Sequence, residues 1–360
     1  MLKSLVNSAK SVNGNLYNLL SNIQNNFRHK LRVDYPLKIT NISPVKKLGI
    51  VSEEKILSGA NILSVSLTQG ITGYDLQDCD QNTTNRLQEI ADKIATKYHE
   101  KNPTQYYYTQ NMLKCIFQIL AQQSDPSLSV HHYAKFLYDD YPKNVPLNWP
   151  LSLGQFITST HLQSLIDAQR TYLMSLAGDL EQNGLPLINY PELLKTVGIV
   201  RSRALNFTPE APKIFTQDSV LILCPVIDVL NHSFKPNCRI EGRYNSLEND
   251  SFVELRVIED IQPGEELTIN YGNYNNYDML MKFGFMVDNN PFDEFPLNLN
   301  FGNYLEYTTQ LFDLKNKIFL KVPDFSLEKI SIYKDKIDPK LLALLRIYFL
   351  TEEDLKRNPE

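Results

Sequence analysis

The stretch from Leu221 to Gly272 constrains the fold of this chain of 360 residues more than any other part of it. It opens with an apolar run, Leu221 to Leu230, which Asp228 interrupts and which Asn231 and His232 end abruptly. An amide and an imidazole at the end of a buried run must find hydrogen-bond partners if they stay inside the protein. We therefore expect a polar site where this run stops.

The second half of the stretch predicts further strands. Phe252 to Ile258 fits a strand, Pro263-Gly264 a turn and Leu267 to Ile269 a last strand. That last strand delivers Tyr271 and Gly272 to its C-terminal end. Functional side chains are often found where a rigid element meets a loop. Both ends of the stretch therefore carry candidate functional residues.

Two motifs in this stretch, NHSxxPNC and GEELTINYG, are separated by the predicted hairpin. In this order and spacing they resemble the SET-domain protein methyltransferases. The segment that follows, NYNNYDMLMKFGFMVDNNPFD, resembles the branch typified by the plant Rubisco large-subunit lysine methyltransferase. The resemblance covers most of residues 37 to 350. It implies an α+β fold: a SET-domain β-fold with a pseudoknot, a helical insert within it and a shortened C-terminal helical lobe.

The resemblance also implies which residues form the site. Tyr271 matches the active-site tyrosine of the family, whose hydroxyl holds and orients the acceptor nitrogen. Asn231 and His232 match the pair that anchors the cofactor S-adenosylmethionine, and Asp228 matches an acidic position that borders it. Without the resemblance, Tyr271 could equally be a core tyrosine at a strand end and Asn231 the cap of a turn.

Other parts of the predicted cofactor site lie outside this stretch. The family has a glycine-rich hairpin near its N-terminus that approaches the cofactor; Gly49 matches it, but Lys47 stands where another glycine is usual and must avoid a positive φ angle. Ser202 and Arg203 match a Ser-Arg pair whose guanidinium can meet the methionine carboxylate of the cofactor. Phe283 replaces a family tyrosine and so alters the polar lining around the transferred methyl group.

The N-terminal segment differs in composition from the rest of the chain. No Asp or Glu precedes Asp34, and Ser and Asn are frequent. Its basic residues are Lys3, Lys10, Arg28, Lys30 and Arg32. With apolar residues near helical spacing, this composition is typical of a mitochondrial transit peptide and predicts a mitochondrial location, with the cytoplasm as the alternative. An amphipathic helix docked on the domain fits the same pattern.

The motifs also suggest a division of the chain. Residues 1–36 form the basic amphipathic, transit-peptide-like segment, and residues 37–100 the N-terminal part of the SET domain. Residues 101–200 form the helical insert. Residues 201–294 carry the C-terminal part of the SET domain with the cofactor and active-site motifs, and residues 295–360 a truncated lobe that resembles a substrate-binding lobe.

Composition argues against several classes of function. No apolar run approaches membrane-spanning length, so no transmembrane segment is expected. The formal net charge of -5 gives no electrostatic case for direct nucleic-acid binding. The cysteines show no CxxC pair, and the adjacent His131 and His132 lack a partner at i+4, so no metal site is predicted.

Two functions of different class follow. The resemblance implies a protein-lysine methyltransferase that uses S-adenosylmethionine and acts on a protein substrate; a histidine acceptor is also possible within this branch. Lys47, Phe283 and the short lobe fit a second interpretation. In that case the chain is a non-catalytic, structural SET-fold subunit of a mitochondrial assembly, such as a respiratory-chain complex or the mitochondrial ribosome, and its partner is the host protein complex.

Overall fold

The computed structural model divides the chain into two units. The first comprises Met1–Asn273 and Met279–Phe285, and the second comprises Tyr274–Asp278 and Met286–Glu360. The residues that the structure describes are 1–26, 30–43, 47–73, 76, 78–100, 102–158, 160–207, 220–247, 250–297, 330–349, 351 and 353–354. Every site residue predicted above lies among them, in the first unit.

Short strands form several small sheets in the first unit. The strands are β1 (Leu31–Val33), β2 (Leu37–Ser43), β3 (Lys47–Ser52), β4 (Asn61–Ser66), β5 (Ile71–Thr72), β6 (Leu205–Phe207), β7 (Val220–Leu223), β8 (Asn231–His232), β9 (Cys238–Asn245), β10 (Asp250–Val257) and β11 (Thr268–Ile269). The sheets have the orders β1-β4-β10-β9, β5-β7-β6, β2-β3 and β8-β11. Together with the helices, they confirm the mixed α+β class.

Strand β10 lies inside the four-stranded sheet and anchors its core. It pairs antiparallel with β9 on one side and with β4 on the other. Val253, Leu255 and Val257 alternate along it and are buried, as one face of a sheet against a core requires. The predicted strand from Phe252 to Ile258 is therefore confirmed, with its start two residues earlier, at Asp250.

Strands β8 and β11 pair in parallel, although the whole β9-β10 hairpin separates them in sequence. Asn231 lies opposite Thr268, and His232 lies opposite Ile269. The backbone N–H of Ser233 extends the pairing by donating to the carbonyl of Ile269 at 2.9 Å. This pairing brings the two predicted motifs side by side. The threading of a pseudoknot goes beyond the pairing and stays a prediction.

Of the helices in the described residues, five lie between β5 and β6. The helices up to the end of the first unit are α1 (Leu2–Lys10), α2 (Gly14–Asn26), α3 (Gln81–His99), α4 (Pro103–Ser124), α5 (His131–Asp139), α6 (His161–Gln182), α7 (Tyr190–Arg203) and α8 (Asn276–Phe283). Helical structure begins before the predicted insert boundary at residue 101, because Asp80 caps α3 by accepting from the N–H groups of Asn82 and Thr83. Within the described ranges, no helix has the length and apolar character needed to cross a membrane.

The N-terminal helices are part of the core of the first unit. Helix α1 packs on β2, and α2 packs on α5. The Ser8 hydroxyl accepts the backbone N–H of Ile39 at 3.0 Å, so α1 also takes part in the edge of β2. The buried residues of the two helices are Leu2, Leu5, Val6, Ala9, Leu16, Leu19, Leu20 and Ile23. Their stripe matches the docked amphipathic helix; Arg28, one of the basic residues noted above, lies outside the described residues.

The second unit contains an antiparallel pair, β12 (Glu294–Leu297) with β13 (Ile330–Tyr333), and helix α9 (Pro339–Phe349). Asp338 joins the pair to the helix, since its carboxylate accepts the backbone N–H of Ser331 at 3.1 Å and of Lys340 at 2.8 Å. Residues 298–329 and 355–360 lie outside the described residues, so the predicted truncated lobe is covered only in part.

The burial of α1 leads to a test of whether this segment belongs to the folded protein. Leu5 is 0% exposed, whereas Leu151 is 82% exposed. We expect Leu5→Ala to lower the free energy of unfolding by about 2–5 kcal/mol, because it removes buried methyl groups and leaves a cavity. The control Leu151→Ala should change it by no more than about 0.5 kcal/mol. Urea denaturation followed by circular dichroism measures both, and equal effects would argue against a docked α1.

Candidate functional site

The side-chain amide of Asn231 connects β8 to β3 and to Glu266. Its Nδ2 donates to the carbonyl oxygen of Leu48 at 2.8 Å and to Oε1 of Glu266 at 2.7 Å. A Cβ atom at Gly49 would lie 2.8 Å from Nδ2 of Asn231 and 2.5 Å from Cγ1 of Ile42. Only glycine therefore leaves room for this amide against β3. Both amide hydrogens of Asn231 are used within the protein, so its remaining polar atom for a ligand is Oδ1, an acceptor.

His232 and Tyr271 are joined through the backbone. The N–H of Tyr271 donates to Nδ1 of His232 at 3.1 Å, and the two ring centroids lie 5.3 Å apart. A ring nitrogen that accepts a hydrogen bond carries no proton, so the imidazole is neutral and its proton is on Nε2. The parallel pairing of β8 and β11 makes this contact possible, since His232 pairs with Ile269 and Tyr271 lies two residues beyond Ile269.

The hydroxyl of Tyr271 is anchored to the main chain. It donates to the carbonyl oxygen of Leu230 at 2.5 Å. Burial raises the pKa of this phenol; Arg203 acts in the lowering direction, and Asp228 raises the pKa further. The group is therefore a neutral hydroxyl near pH 7. Because its hydrogen is committed to Leu230, its oxygen can still accept a hydrogen bond from another N–H group.

Aromatic rings surround the Tyr271 side chain. We call the set His232, Phe234, Tyr271, Phe283 and Phe285 the aromatic wall. The ring of Phe283 lies 4.8 Å from that of Tyr271, and the ring of Phe234 lies edge-on at 4.4 Å from His232. Phe285 completes the wall at 6.2 Å from Phe283 and 6.4 Å from His232. Such a surface favours an apolar group and disfavours a desolvated charge that lacks a partner.

A cluster of charged and hydroxyl groups acts electrostatically on Tyr271, and we call it the Arg203 cluster. It consists of Tyr133, Asp140, Arg203 and Asp228. Nη2 of Arg203 lies 2.9 Å from Oδ2 of Asp140, and Nη1 lies 3.6 Å from Oδ2 of Asp228. Nη1 also donates to the backbone carbonyl of Asp228 at 3.3 Å, and the hydroxyl of Tyr133 donates to Oδ2 at 3.0 Å. The guanidinium therefore has two carboxylates as partners.

Asp228 is the least solvated charged group of this cluster. Its side chain is 0% exposed, and burial raises its pKa to about 6, although Arg203 and Tyr133 act in the opposite direction and Asp140 adds to the rise. Within the described residues, its second oxygen, Oδ1, has no hydrogen-bond partner. The preceding Val226 has a φ angle of 72°, a conformation that strains a β-branched residue. The chain thus accepts local strain where it directs this carboxyl group.

The structure brings most of the predicted residues together. Asn231 and Gly49 touch each other, His232, Tyr271 and Phe283 share the aromatic wall, and Arg203 and Asp228 form one cluster. Ser202 is different, because its hydroxyl turns back to the carbonyl of Ile199 within α7 at 3.3 Å. The backbone of Lys47 lies in β3 and does not have a positive φ angle. The assignment of cofactor and acceptor roles to these residues stays a prediction.

Sequence reasoning missed several residues of the site. Glu266, which accepts from Asn231, lies beside predicted positions in the motif GEELTINYG. Tyr133 lies in α5 and Asp140 is its C-cap; they come 95 and 63 residues before their partners Asp228 and Arg203, respectively. No local pattern in α5 indicates these contacts. Within the described part of the chain, no group of His, Cys, Asp and Glu side chains is arranged to hold a metal ion.

The fold and the paired motifs define a known class of domain. Residues 47–272 match the SET domain family, and these residues include β3, β8, β11 and the insert between them. The chain belongs to the SET domain family.

Relatives in sequence carry the name actin-histidine N-methyltransferase. The protein of Homo sapiens is 26% identical over 257 residues, which is 67% of this chain and 40% of that protein. The protein of Dasypus novemcinctus is 31% identical over 257 residues, which is 67% of this chain and 41% of that protein. The chain thus spans about 40% of the length of these relatives.

Solved structures of Rubisco LSMT have a similar fold. The structure bound to AdoMet has a TM-score of 0.64 and 17% identity, and the match covers 95% of this chain and 72% of that one. The SET domain of LSMT bound to lysine and AdoHcy has a TM-score of 0.65 and 18% identity, and the match covers 96% of this chain and 73% of that one. At this level of identity the similarity establishes the fold.

The contact between Gly49 and Asn231 can be tested by adding one carbon atom. A Cβ at Gly49 would meet two side chains below 3.0 Å, whereas a Cβ at Gly178, inside α6, meets nothing within 4 Å. We expect Gly49→Ala to lower the free energy of unfolding by about 1–3 kcal/mol through overpacking. The control Gly178→Ala should raise it by about 0.5–1 kcal/mol, since alanine favours the helix. Urea denaturation of both variants gives the signs, and a neutral Gly49→Ala would contradict the close packing.

Proposed function

We propose that this chain is a protein methyltransferase that uses S-adenosylmethionine, with Tyr271 at the reacting centre. The observation that carries the proposal is the Tyr271 hydroxyl: it is anchored on Leu230 at 2.5 Å, its ring belongs to the aromatic wall, and the charges of Arg203 and Asp228 act on it. A neutral hydroxyl with a free acceptor side, next to apolar rings, suits an uncharged nitrogen nucleophile.

The residues present fit the amino-acid part of the cofactor. That part carries an ammonium and a carboxylate, which need an acceptor and a cation as partners. Oδ1 of Asp228 is a buried acceptor without a partner among the described residues, Oδ1 of Asn231 is a second acceptor, and Arg203 is the cation. S-adenosylmethionine, when bound, supplies a methyl group on a positively charged sulfur. Gly49 keeps β3 close to Asn231 so that this set stays compact.

The chain's own groups then prepare the acceptor. The Tyr271 oxygen accepts a hydrogen bond from the incoming nitrogen and fixes its direction, because its own hydrogen is held by Leu230. The aromatic wall excludes water and favours the uncharged form of the acceptor, since desolvation penalises an ammonium. The acceptor loses its proton to solvent before it enters. No strong base is required of Tyr271, whose pKa is raised by burial.

The acceptor we propose is a lysine side chain of a protein. A flexible, apolar stem with one terminal nitrogen suits a wall of rings that ends on a single hydroxyl. Support also comes from the similar fold of LSMT, whose SET domain was solved with lysine bound. The second candidate is a histidine side chain. It is favoured by the sequence relatives, which are named actin-histidine N-methyltransferases.

Membership of a mitochondrial assembly remains a proposal that rests on Lys47, Phe283 and the short lobe, and mitochondrial location one that rests on the composition of residues 1–33. The burial of α1 and α2 adds one condition to the mitochondrial location. A targeting signal in this segment would have to remain attached after import, because the apolar stripe of α1 and α2 fills the core. A purely structural role as a subunit would leave the anchored hydroxyl of Tyr271 and the buried oxygen of Asp228 without a use.

The role of Tyr271 is tested by removing its hydroxyl. We expect Tyr271→Phe to lower methyl transfer about 100-fold or more, because the acceptor nitrogen loses its orienting partner. Stabilisation by S-adenosylmethionine should persist; at about 100 times its dissociation constant the gain is about 2.7 kcal/mol, or several degrees in Tm. Tritiated methyl incorporation and thermal denaturation measure the two effects. Unchanged turnover would remove Tyr271 from its role, and no stabilisation of the wild-type chain would overturn the use of this cofactor.

The two acceptors are distinguished by the product. Cell-extract proteins are incubated with the chain and with S-adenosylmethionine that carries a tritiated methyl group, then hydrolysed to amino acids. We expect the label to appear in methyl-lysine, with the Tyr271→Phe protein as the background control. Label in methyl-histidine alone would replace lysine by histidine as the acceptor and would leave the methyltransferase activity itself in place.

A further inference from the structure

A fully buried tyrosine of the helical insert, Tyr133, is part of the Arg203 cluster. Tyr133 lies in α5 and is 0% exposed. Its hydroxyl donates to Oδ2 of Asp228 at 3.0 Å, and this same oxygen faces Nη1 of Arg203 at 3.6 Å. Burial removes the hydration of a phenol hydroxyl and of a carboxyl group, so each needs a hydrogen-bond partner inside the protein. Here the hydrogen bond from Tyr133 and the ion pair with Arg203 both constrain the direction of the Asp228 carboxyl group.

Helix α5 also holds the other partner of the guanidinium. Asp140, at the C-terminal end of α5, lies with Oδ2 at 2.9 Å from Nη2 of Arg203. One helix therefore contacts both members of the Arg203–Asp228 pair, at positions two turns apart. The pair in turn acts electrostatically on Tyr271. A contact in the insert is thus placed to change the charge beside the reacting centre.

We infer that Tyr133 is a positioning residue, which keeps the carboxylate of Asp228 ionised and turned toward Arg203 and so balances the charge next to Tyr271. The inference rests on the proposed function for its consequence in catalysis, but its physical basis is the buried hydrogen bond. An acceptor nitrogen gains positive charge as it takes a methyl group. If Asp228 lost its charge, Asp140 would be the one carboxylate left beside the guanidinium, and the more positive field at the nitrogen would oppose that step.

The pH dependence follows from the groups that face Asp228. They are Tyr133 and Asp140 from α5, Arg203 from α7, Cys224 before the short turn, and Tyr271 after β11. The pKa of Asp228 is raised to about 6, so ionising this carboxyl group lowers the stability of the fold as pH rises from about 4 through about 6. Loss of the Tyr133 hydroxyl removes a hydrogen bond to the charged form, so the pKa rises further and the penalty extends above pH 6.

The test compares Tyr133→Phe with Tyr138→Phe, a variant of the same helix. The phenylalanine ring still fills the core, so only the hydroxyl is lost. Tyr138 donates to Oε2 of Glu192 at 2.9 Å, a carboxylate that is not a member of the Arg203 cluster. We expect the decrease in Tm caused by Tyr133→Phe to be larger at pH 7.5 than at pH 5, and the decrease caused by Tyr138→Phe to be the same at both. In an Asp228→Asn background the pH dependence of Tyr133→Phe should vanish.

The catalytic consequence is measured as the ratio of variant to wild-type turnover, which cancels the ionisation of the acceptor. For Tyr133→Phe we expect a ratio about tenfold below one at pH 7, since a hydrogen bond to a charged group is lost, and a return toward one by pH 9 as Asp228 ionises. A flat ratio, or a decrease in Tm that does not depend on pH, would overturn the inference. If the wild-type chain methylates nothing, the proposed function fails, and the Tm comparison alone decides the role of Tyr133.

Discussion

The parallel pairing of β8 with β11 is the contact on which the rest of the site depends. It involves two residues on each side, Asn231 with Thr268 and His232 with Ile269. Such a short pairing has little strength of its own, so side chains must support it. Asn237 does so, because its Oδ1 accepts the backbone N–H of Thr268 at 2.9 Å and its Nδ2 donates to the carbonyl of Glu266 at 2.8 Å.

The pairing of these strands determines where the functional groups lie. The Tyr271 N–H reaches His232 and its hydroxyl reaches Leu230, which lie on the neighbouring segment. The Asn231 amide connects the same pair to β3, where Gly49 leaves the space for it. The polar groups that end the buried apolar run therefore have hydrogen-bond partners within the protein. This explains how the run can end abruptly at Asn231.

The helical insert and the β-fold are coupled through charge. Arg203 ends α7, Asp140 is the C-cap of α5, and Asp228 lies in the short turn before β8. Burying such groups is costly unless each has partners, so the insert cannot move independently of the strands that carry the site. The N-terminal helices belong to the same arrangement, because α2 packs on α5. A segment whose composition is typical of a transit peptide is thus connected to the site through one helix.

The amino-acid sequence by itself determined the family, the α+β class, the strand at β10 and the candidate residues Tyr271, Asn231 and His232, because these depend on local motifs and on alternation along a strand. Only the tertiary structure decided that the Asn231 amide serves Leu48 and Glu266, that Arg203 has two carboxylate partners, and that Tyr133 reaches Asp228. These contacts join residues that are 25 to 183 positions apart, and no local pattern encodes the distance between two side chains. Composition alone could not distinguish a targeting signal from a core helix in the N-terminal segment. The burial of its apolar stripe shows that α1 and α2 fill part of the core.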